Sequence, residues 1–172
     1  MGLTMRQYRE CKRCEFDNLV ASLIHRNHSH IAVCYIRRAQ LFGASNNLLM
    51  KAIGSFFINR LIIQYGIYVH PDTEIGVGLK LPHPNGIVIG SAVVIGEHAT
   101  IYQQVTIGSS RIGDWKKAKQ PHIGNGVIIF SGAKIIGDIK ICNNVTIGAN
   151  AVITKPINDP GSTWVGIPAH ML

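Results

Sequence analysis

The sequence predicts a mostly β solenoid, a triangular prism of stacked six-residue units, with a small helical region ahead of it. Three observations carry that prediction. Aliphatic residues recur at every sixth position through the second part of the chain. A second aliphatic residue stands two places before almost every one of them. No 3.6-residue period runs through residues 67–155.

Stepping by six from Val69 reaches Ile75 and Leu81. After two extra residues the steps resume at Ile89, Ile95, Ile101 and Ile107, and after a longer interruption at Ile123, Ile129, Ile135, Ile141, Ile147 and Ile153. The residues two places earlier run from Ile67 to Ala151, and all but Thr73 and Pro121 are aliphatic. Residues two apart share one face of a strand, so each unit turns two side chains inward and then bends. Glycine often follows the sixth residue (Gly76, Gly90, Gly96, Gly108, Gly124, Gly148), and the expected reason is a corner backbone with φ > 0. Three such faces close a coil of about eighteen residues, and only stacked coils bury the inner surface.

Residues 5–26, 30–42 and 46–65 suit helices, punctuated by Gly43 and by Asn46 and Asn47. The expected organisation is a helical region over 1–66, covering the open end of a solenoid over 67–172. The apolar stretch 48–63 is broken by Lys51, Ser55, Asn59 and Arg60, which is too short and too polar for a bilayer span. A core-facing helix and a helix lying weakly on a membrane surface both fit it.

Composition narrows the function classes. With 47% apolar and 15% charged residues, the chain is not a disordered one. A net charge of +8 favours acidic partners such as a polyphosphate cofactor. No nucleic-acid motif accompanies the basic residues, so no nucleic-acid partner is expected. Cys11 and Cys14 form a C-x-x-C, but neither a second pair nor a His pair stands at zinc spacing, and no metal is expected. Charges scattered over residues 6–17 exclude a secretory signal, and a cytoplasmic location is expected.

His83 is the candidate catalytic residue. It lies in the two-residue insertion between Leu81 and Ile89, and an irregularity in a strict repeat is where function concentrates. An imidazole there can act as general base toward a hydroxyl. A plain turn histidine between Pro82 and Pro84 is the other reading that the spacing allows. Gln103 follows Ile101 by two, as His83 follows Leu81, so the count stacks the two one coil apart.

The run Val69-His70-Pro71, Gly76-x-Gly78-Leu79 and His83-x-x-Gly86-Ile87-Val88-Ile89-Gly90 resembles the active-site region of serine acetyltransferases. Gln103-x-Val105-Thr106-Ile107-Gly108, Ile147-Gly148-Ala149-x-Ala151-Val152 and Val165-Gly166-x-Pro168-Ala169 extend the resemblance over about residues 62–170. The resemblance implies a left-handed parallel β-helix of hexapeptide repeats. It also implies a homotrimer that binds acetyl-CoA between neighbouring prisms, with His83 as catalytic base. It puts Ser109, Ser131 and Ala149 beside the pantetheine arm, and Lys155 and Lys134 near the CoA phosphates. The interruption at 109–121, with Trp115, resembles a loop that reaches toward a neighbouring subunit.

Three positions depart from the family. Tyr68 stands where a carboxylate orients the histidine, Pro82 where Asp is common, and Gln120 where a further histidine helps hold the serine carboxylate; His122 lies two residues on. These uncharged positions lead to an expected sugar acceptor, as in surface polysaccharide or glycan synthesis, bound by Tyr68, Asn85, Gln103 and His122. The alternative is serine O-acetylation in cysteine biosynthesis. Only Met171 and Leu172 follow the last motif, so no tail for docking cysteine synthase is expected. A zinc enzyme on the same repeat would need a His-x4-His pair, and the repeat region offers none.

Overall fold

The computed structural model describes residues 27–43, 45–111 and 119–172. The helix expected over 5–26, Cys11, Cys14 and Trp115 lie outside the described residues. Two helices come first, α1 (His28–Gly43) and α2 (Leu48–Tyr65). Then follow β1 (Tyr68–Val69), β2 (Glu74–Ile75), β3 (Val88–Ile89), β4 (Val94–Ile95), β5 (Thr100–Ile101), β6 (Thr106–Gly108) and β7 (His122–Ile123). The chain ends with β8 (Ile128–Ile129), β9 (Lys134–Ile136), β10 (Lys140–Ile141), β11 (Thr146–Ile147), β12 (Val152–Ile153), β13 (Thr163–Val165) and β14 (His170–Met171).

The strands form three sheets, one per prism face: β1-β3-β6-β9-β12, β2-β4-β7-β10 and β5-β8-β11-β13-β14. All pairings are parallel except β13 with β14, which folds back to close the last coil. The architecture is a left-handed β-helix with a small helical region. Register measures the interruptions. Val88 pairs with Thr106, the regular step of eighteen, whereas Tyr68 pairs with Val88 across a step of twenty and Thr106 with Lys134 across one of twenty-eight.

Every residue that the six-step count sends inward is buried, including the two exceptions to the aliphatic rule, Thr73 and Pro121. Thr73 meets its polar obligation by donating its hydroxyl to the Gly90 carbonyl at 3.1 Å. The column Ile101–Ile129–Ile147 runs up the third sheet and ends on Trp164, whose indole N–H donates to Ser162 Oγ at 2.9 Å. Each buried isoleucine contributes about 1.5–3 kcal/mol of transfer free energy.

None of the six glycines expected at positive φ has it, and at three of them close approach is the reason instead. Gly76, Gly96 and Gly124 are not in the left-handed region; they stack on one another at close approach. A Cβ on Gly76 would stand 2.6 Å from the Gly96 carbonyl carbon, and one on Gly96 2.7 Å from that of Gly124. The positive φ values fall later in the corners, at residues such as Gly86 (62°), Gln104 (61°), Gly132 (74°) and Asn150 (56°).

The helices cover the open end of the prism and satisfy its backbone. Amides of each coil donate to carbonyls of the next, as Glu74 N–H does to the Val93 carbonyl at 3.0 Å. Carbonyls of the first coil therefore have no coil before them. From α1, Gln40 Nε2 donates to the Thr73 carbonyl at 2.8 Å, and the Arg37 guanidinium donates to the Ile75 carbonyl at 2.7 Å and to that of Gly76. All ten residues from Ile31 to Gln40 are buried. Helix α2 packs over α1 with Phe57 against Tyr35 and Phe42, and Gly54 permits the crossing, since a Cβ there would stand 2.8 Å from the Gly43 nitrogen. Asn47 caps α2 by accepting the Leu49 N–H at 2.8 Å, and Gly66 ends it in the left-handed conformation.

Candidate functional site

The site is built on a corner that recurs in four coils, between the third sheet and the first. Backbone hydrogen bonds fix how these corners stack. Gln104 N–H donates to the Asn85 carbonyl at 2.9 Å, Gly132 N–H to that of Gln103 at 3.0 Å, and Asn150 N–H to that of Ser131 at 2.9 Å. Asn85, Gln103, Ser131 and Ala149 therefore form one column. This corrects the expected stacking of His83 on Gln103. The corner is aligned from its far side, where Gly86 lies over Gln104, so the two extra residues are looped out before Asn85.

His83 is carried on that loop and is exposed. Its carbonyl accepts the Asn85 N–H at 2.8 Å, which closes the turn. Among the described residues its ring makes no hydrogen bond; it faces Tyr102, centroid to centroid 6.0 Å, at 52° between planes. Tyr102 in turn stacks on Phe130 at 5.0 Å and 20°. An aromatic ladder thus stands beside the imidazole. Tyr102 and Phe130 escaped the sequence reading. The available signal was their identical offset: each directly follows an inward isoleucine, Ile101 or Ile129, at a position that glycine often takes in other units.

Two buried amides have an unmatched oxygen. Gln103 Oε1 and Gln120 Oε1 are buried with no hydrogen-bond partner among the described residues. Leaving such an acceptor unpaired costs about 1–3 kcal/mol, so it marks a place where a ligand's donor would be welcome. Gln120 Oε1 lies 3.8 Å from where a Cβ on Gly90 would stand, at the opposite border of the first sheet from Gln103.

The remaining candidates divide between positions. Ser131 and Ala149 share the Gln103 column. Ser109 and Lys155 occupy the corner between the first and second sheets. Lys134 lies on the outer face of the first sheet, in line with Tyr68, Val88, Thr106 and Val152, and its Nζ donates to the Gln104 carbonyl at 2.7 Å. That contact tethers the left-handed Gln104. His122 belongs to the second sheet, aligned with Glu74, Val94 and Lys140, so one chain does not bring it beside Tyr68 or His83. Of the interruption at 109–121, residues 112–118 lie outside the described residues. Among the described residues no group of three or more His, Cys, Asp or Glu could hold a metal.

Known proteins resemble this chain in sequence and fold. A family model described as bacterial transferase hexapeptide (six repeats) matches residues 120–155. A serine acetyltransferase of Staphylococcus aureus is 45% identical over 107 residues, covering 62% of this chain and 49% of that protein. The repeat domain is serine acetyltransferase-like. Among solved structures, the serine acetyltransferase-like fold matches soybean serine acetyltransferase complexed with serine at a TM-score of 0.73 and 30% identity, over 83% of this chain and 56% of that one. It also matches a serine acetyltransferase in complex with CoA at a TM-score of 0.74 and 25% identity, over 98% and 71%. The chain spans about half the length of the Staphylococcus relative.

Proposed function

We propose that this chain is an acetyl-CoA-dependent O-acetyltransferase acting on L-serine, with His83 as the general base. The observation that carries the reading is the looped corner. It holds an imidazole out of the repeat, beside a sheet face bordered by two buried amide oxygens that have no partner among the described residues. Serine replaces the sugar acceptor expected from the sequence, because the relatives that match this chain are named for serine.

In this reading the acceptor oxygen attacks the acetyl carbonyl carbon and forms the new C–O bond. His83 takes the hydroxyl proton during attack. The tetrahedral intermediate then expels the CoA sulfur by breaking C–S, and His83 returns the proton to the thiolate. The ring is oriented by Tyr102 and Phe130 rather than by a carboxylate. Gln103 and Gln120 can each accept a hydrogen bond from an ammonium. Ser131 and Ala149 flank the pantetheine arm at one border of the first sheet, with Ser109 and Lys155 at the other and Lys134 between. A homotrimer in the cytoplasm belongs to the same reading, since a second prism would add a face such as that of His122 to the groove.

One feature supports a sugar as second reading: the Tyr102–Phe130 stack offers a flat aromatic surface beside His83, and Tyr68, Pro82 and Gln120 carry no formal charge. Steady-state assays with serine, nucleotide sugars and amino sugars as sole acceptors separate the two. A catalytic efficiency with serine above about 10⁴ M⁻¹s⁻¹ is expected. Turnover confined to sugars overturns the serine assignment. His83→Ala should lower kcat by about 10²–10⁴-fold and leave acetyl-CoA binding unchanged; turnover within twofold of the parent would remove His83 from the mechanism.

A further inference from the structure

Helix α2 is apolar on both sides. Its inner side, with Gly54, Leu61 and Tyr65, is buried. On the opposite side Leu48, Leu49, Phe56 and Ile63 are 83, 66, 57 and 79% exposed. At 3.6 residues per turn these four fall within an arc of about 100°, which is the width of a packed apolar stripe. Ala52 lies in the same arc, and Asn59 is the only polar residue inside it. An apolar patch of this kind on a folded chain marks an interaction surface.

Charge says what the surface meets. Lys51 and Arg60 are exposed and flank the arc, about 60° beyond its Leu48 edge and about 20° beyond its Leu49 edge. No aspartate or glutamate occurs anywhere in residues 18–71. Two coverings from the protein itself would bring charge of the same sign. Residues 1–26 hold five basic residues against three acidic, and a second copy would present the same lysine and arginine. A surface rich in phosphate and apolar just beneath it complements both the stripe and its cations. No described helix is long and apolar enough to cross a membrane.

We propose that the outer face of α2 lies on an anionic lipid bilayer. Leu48, Leu49, Phe56 and Ile63 enter the boundary between headgroups and acyl chains, and Lys51 and Arg60 rest on lipid phosphates. This docking is independent of the acceptor, because α2 meets the His83 corner through its buried side, where the Tyr65 carbonyl accepts the Gly86 N–H at 3.0 Å, and not through its exposed face.

Co-sedimentation of the full chain with lipid vesicles tests it. With phosphatidylcholine containing about one-third phosphatidylglycerol, partition should be at least about tenfold stronger than with phosphatidylcholine alone. Phe56→Glu with Ile63→Glu should lower that partition by about tenfold or more, with the helical circular dichroism and the melting temperature kept. Lys51→Glu with Arg60→Glu, which touches only exposed side chains, should abolish the preference for anionic lipid. A wild-type chain that ignores the anionic vesicles, or that binds neutral ones equally well, overturns the proposal. So does a Phe56/Ile63 variant that binds like the parent.

Discussion

The prism and the helical cap spend their apolar residues differently. In the prism each side chain that the period of six turns inward is buried, from Val69 to Ile153. In α2, buried Leu61 is followed directly by exposed Ile62 and Ile63. The prism needs its isoleucines to hold coil on coil. The cap needs only one side of α2, so its outer leucines and isoleucine are free to serve another surface. The same residue type therefore carries different energetic weight in the two regions.

Paired truncations break that comparison most sharply. Ile129→Ala would empty a fully buried place between Ile101 and Ile147 and should cost about 2–5 kcal/mol. Ile63→Ala should stay within about 0.5 kcal/mol. Urea unfolding of both variants measures the contrast. Equal losses would mean that α2's outer face is packed in solution.

The seam between the regions ranks next. Arg37 is buried and spans the gap from α1 to the carbonyls of Ile75 and Gly76. Arg37→Ala leaves those acceptors buried without that donor, at a cost of about 1–3 kcal/mol each. The loss should appear as weaker hydrogen-exchange protection in the first coil, with later coils less affected because repeats couple mainly to their neighbours. Uniform loss across all coils would show that the cap sets the stability of the whole prism.

How much was legible follows from the same contrast. A strict period leaves one assignment for each residue, so the inward positions of the prism were readable even where the residue was Thr73 or Pro121. Helix α2 gave no such signal, since apolar residues lie all around it and nothing local says which side faces α1. His83 stood out because it breaks a count. Its neighbours were misplaced for the same reason: the count runs from Leu81, whereas the backbone aligns from Gly86 on Gln104. The Tyr102–Phe130 ladder was overlooked although the two residues share an offset, because its meeting with His83 depends on which outward side chains approach between coils. The glycines after the sixth residue were read as torsional, when at Gly76, Gly96 and Gly124 the reason is close stacking, a distance that a single sequence does not display.

The smallest expected effect sits where the prism meets its cap. Asp72 occupies the first corner, next to Pro71, which lies under Gly43 of α1. It accepts the Ser91 hydroxyl from the following coil at 2.8 Å and pairs with His70 Nδ1. Burial opposes ionisation of this carboxyl, but the hydrogen bonds from Ser91 and His70 outweigh it and hold Asp72 below the usual carboxylate range. A carboxyl with a folded pKa below its unfolded one stabilises the fold at higher pH. That contribution is complete above the unfolded value, near pH 4, and fades as pH falls through the lowered folded value. The pair is more than half exposed on the aspartate side, so its worth is that of a surface contact, about 0.2–1 kcal/mol. Asp72→Asn should therefore be slightly less stable than the parent at pH 6, and the two should converge in acid once pH has fallen through the lowered folded value. Melting temperatures of both proteins across that window measure the difference. A gap that widens toward acid would reverse the sign and mean that the neutral form of Asp72 is the one the corner prefers.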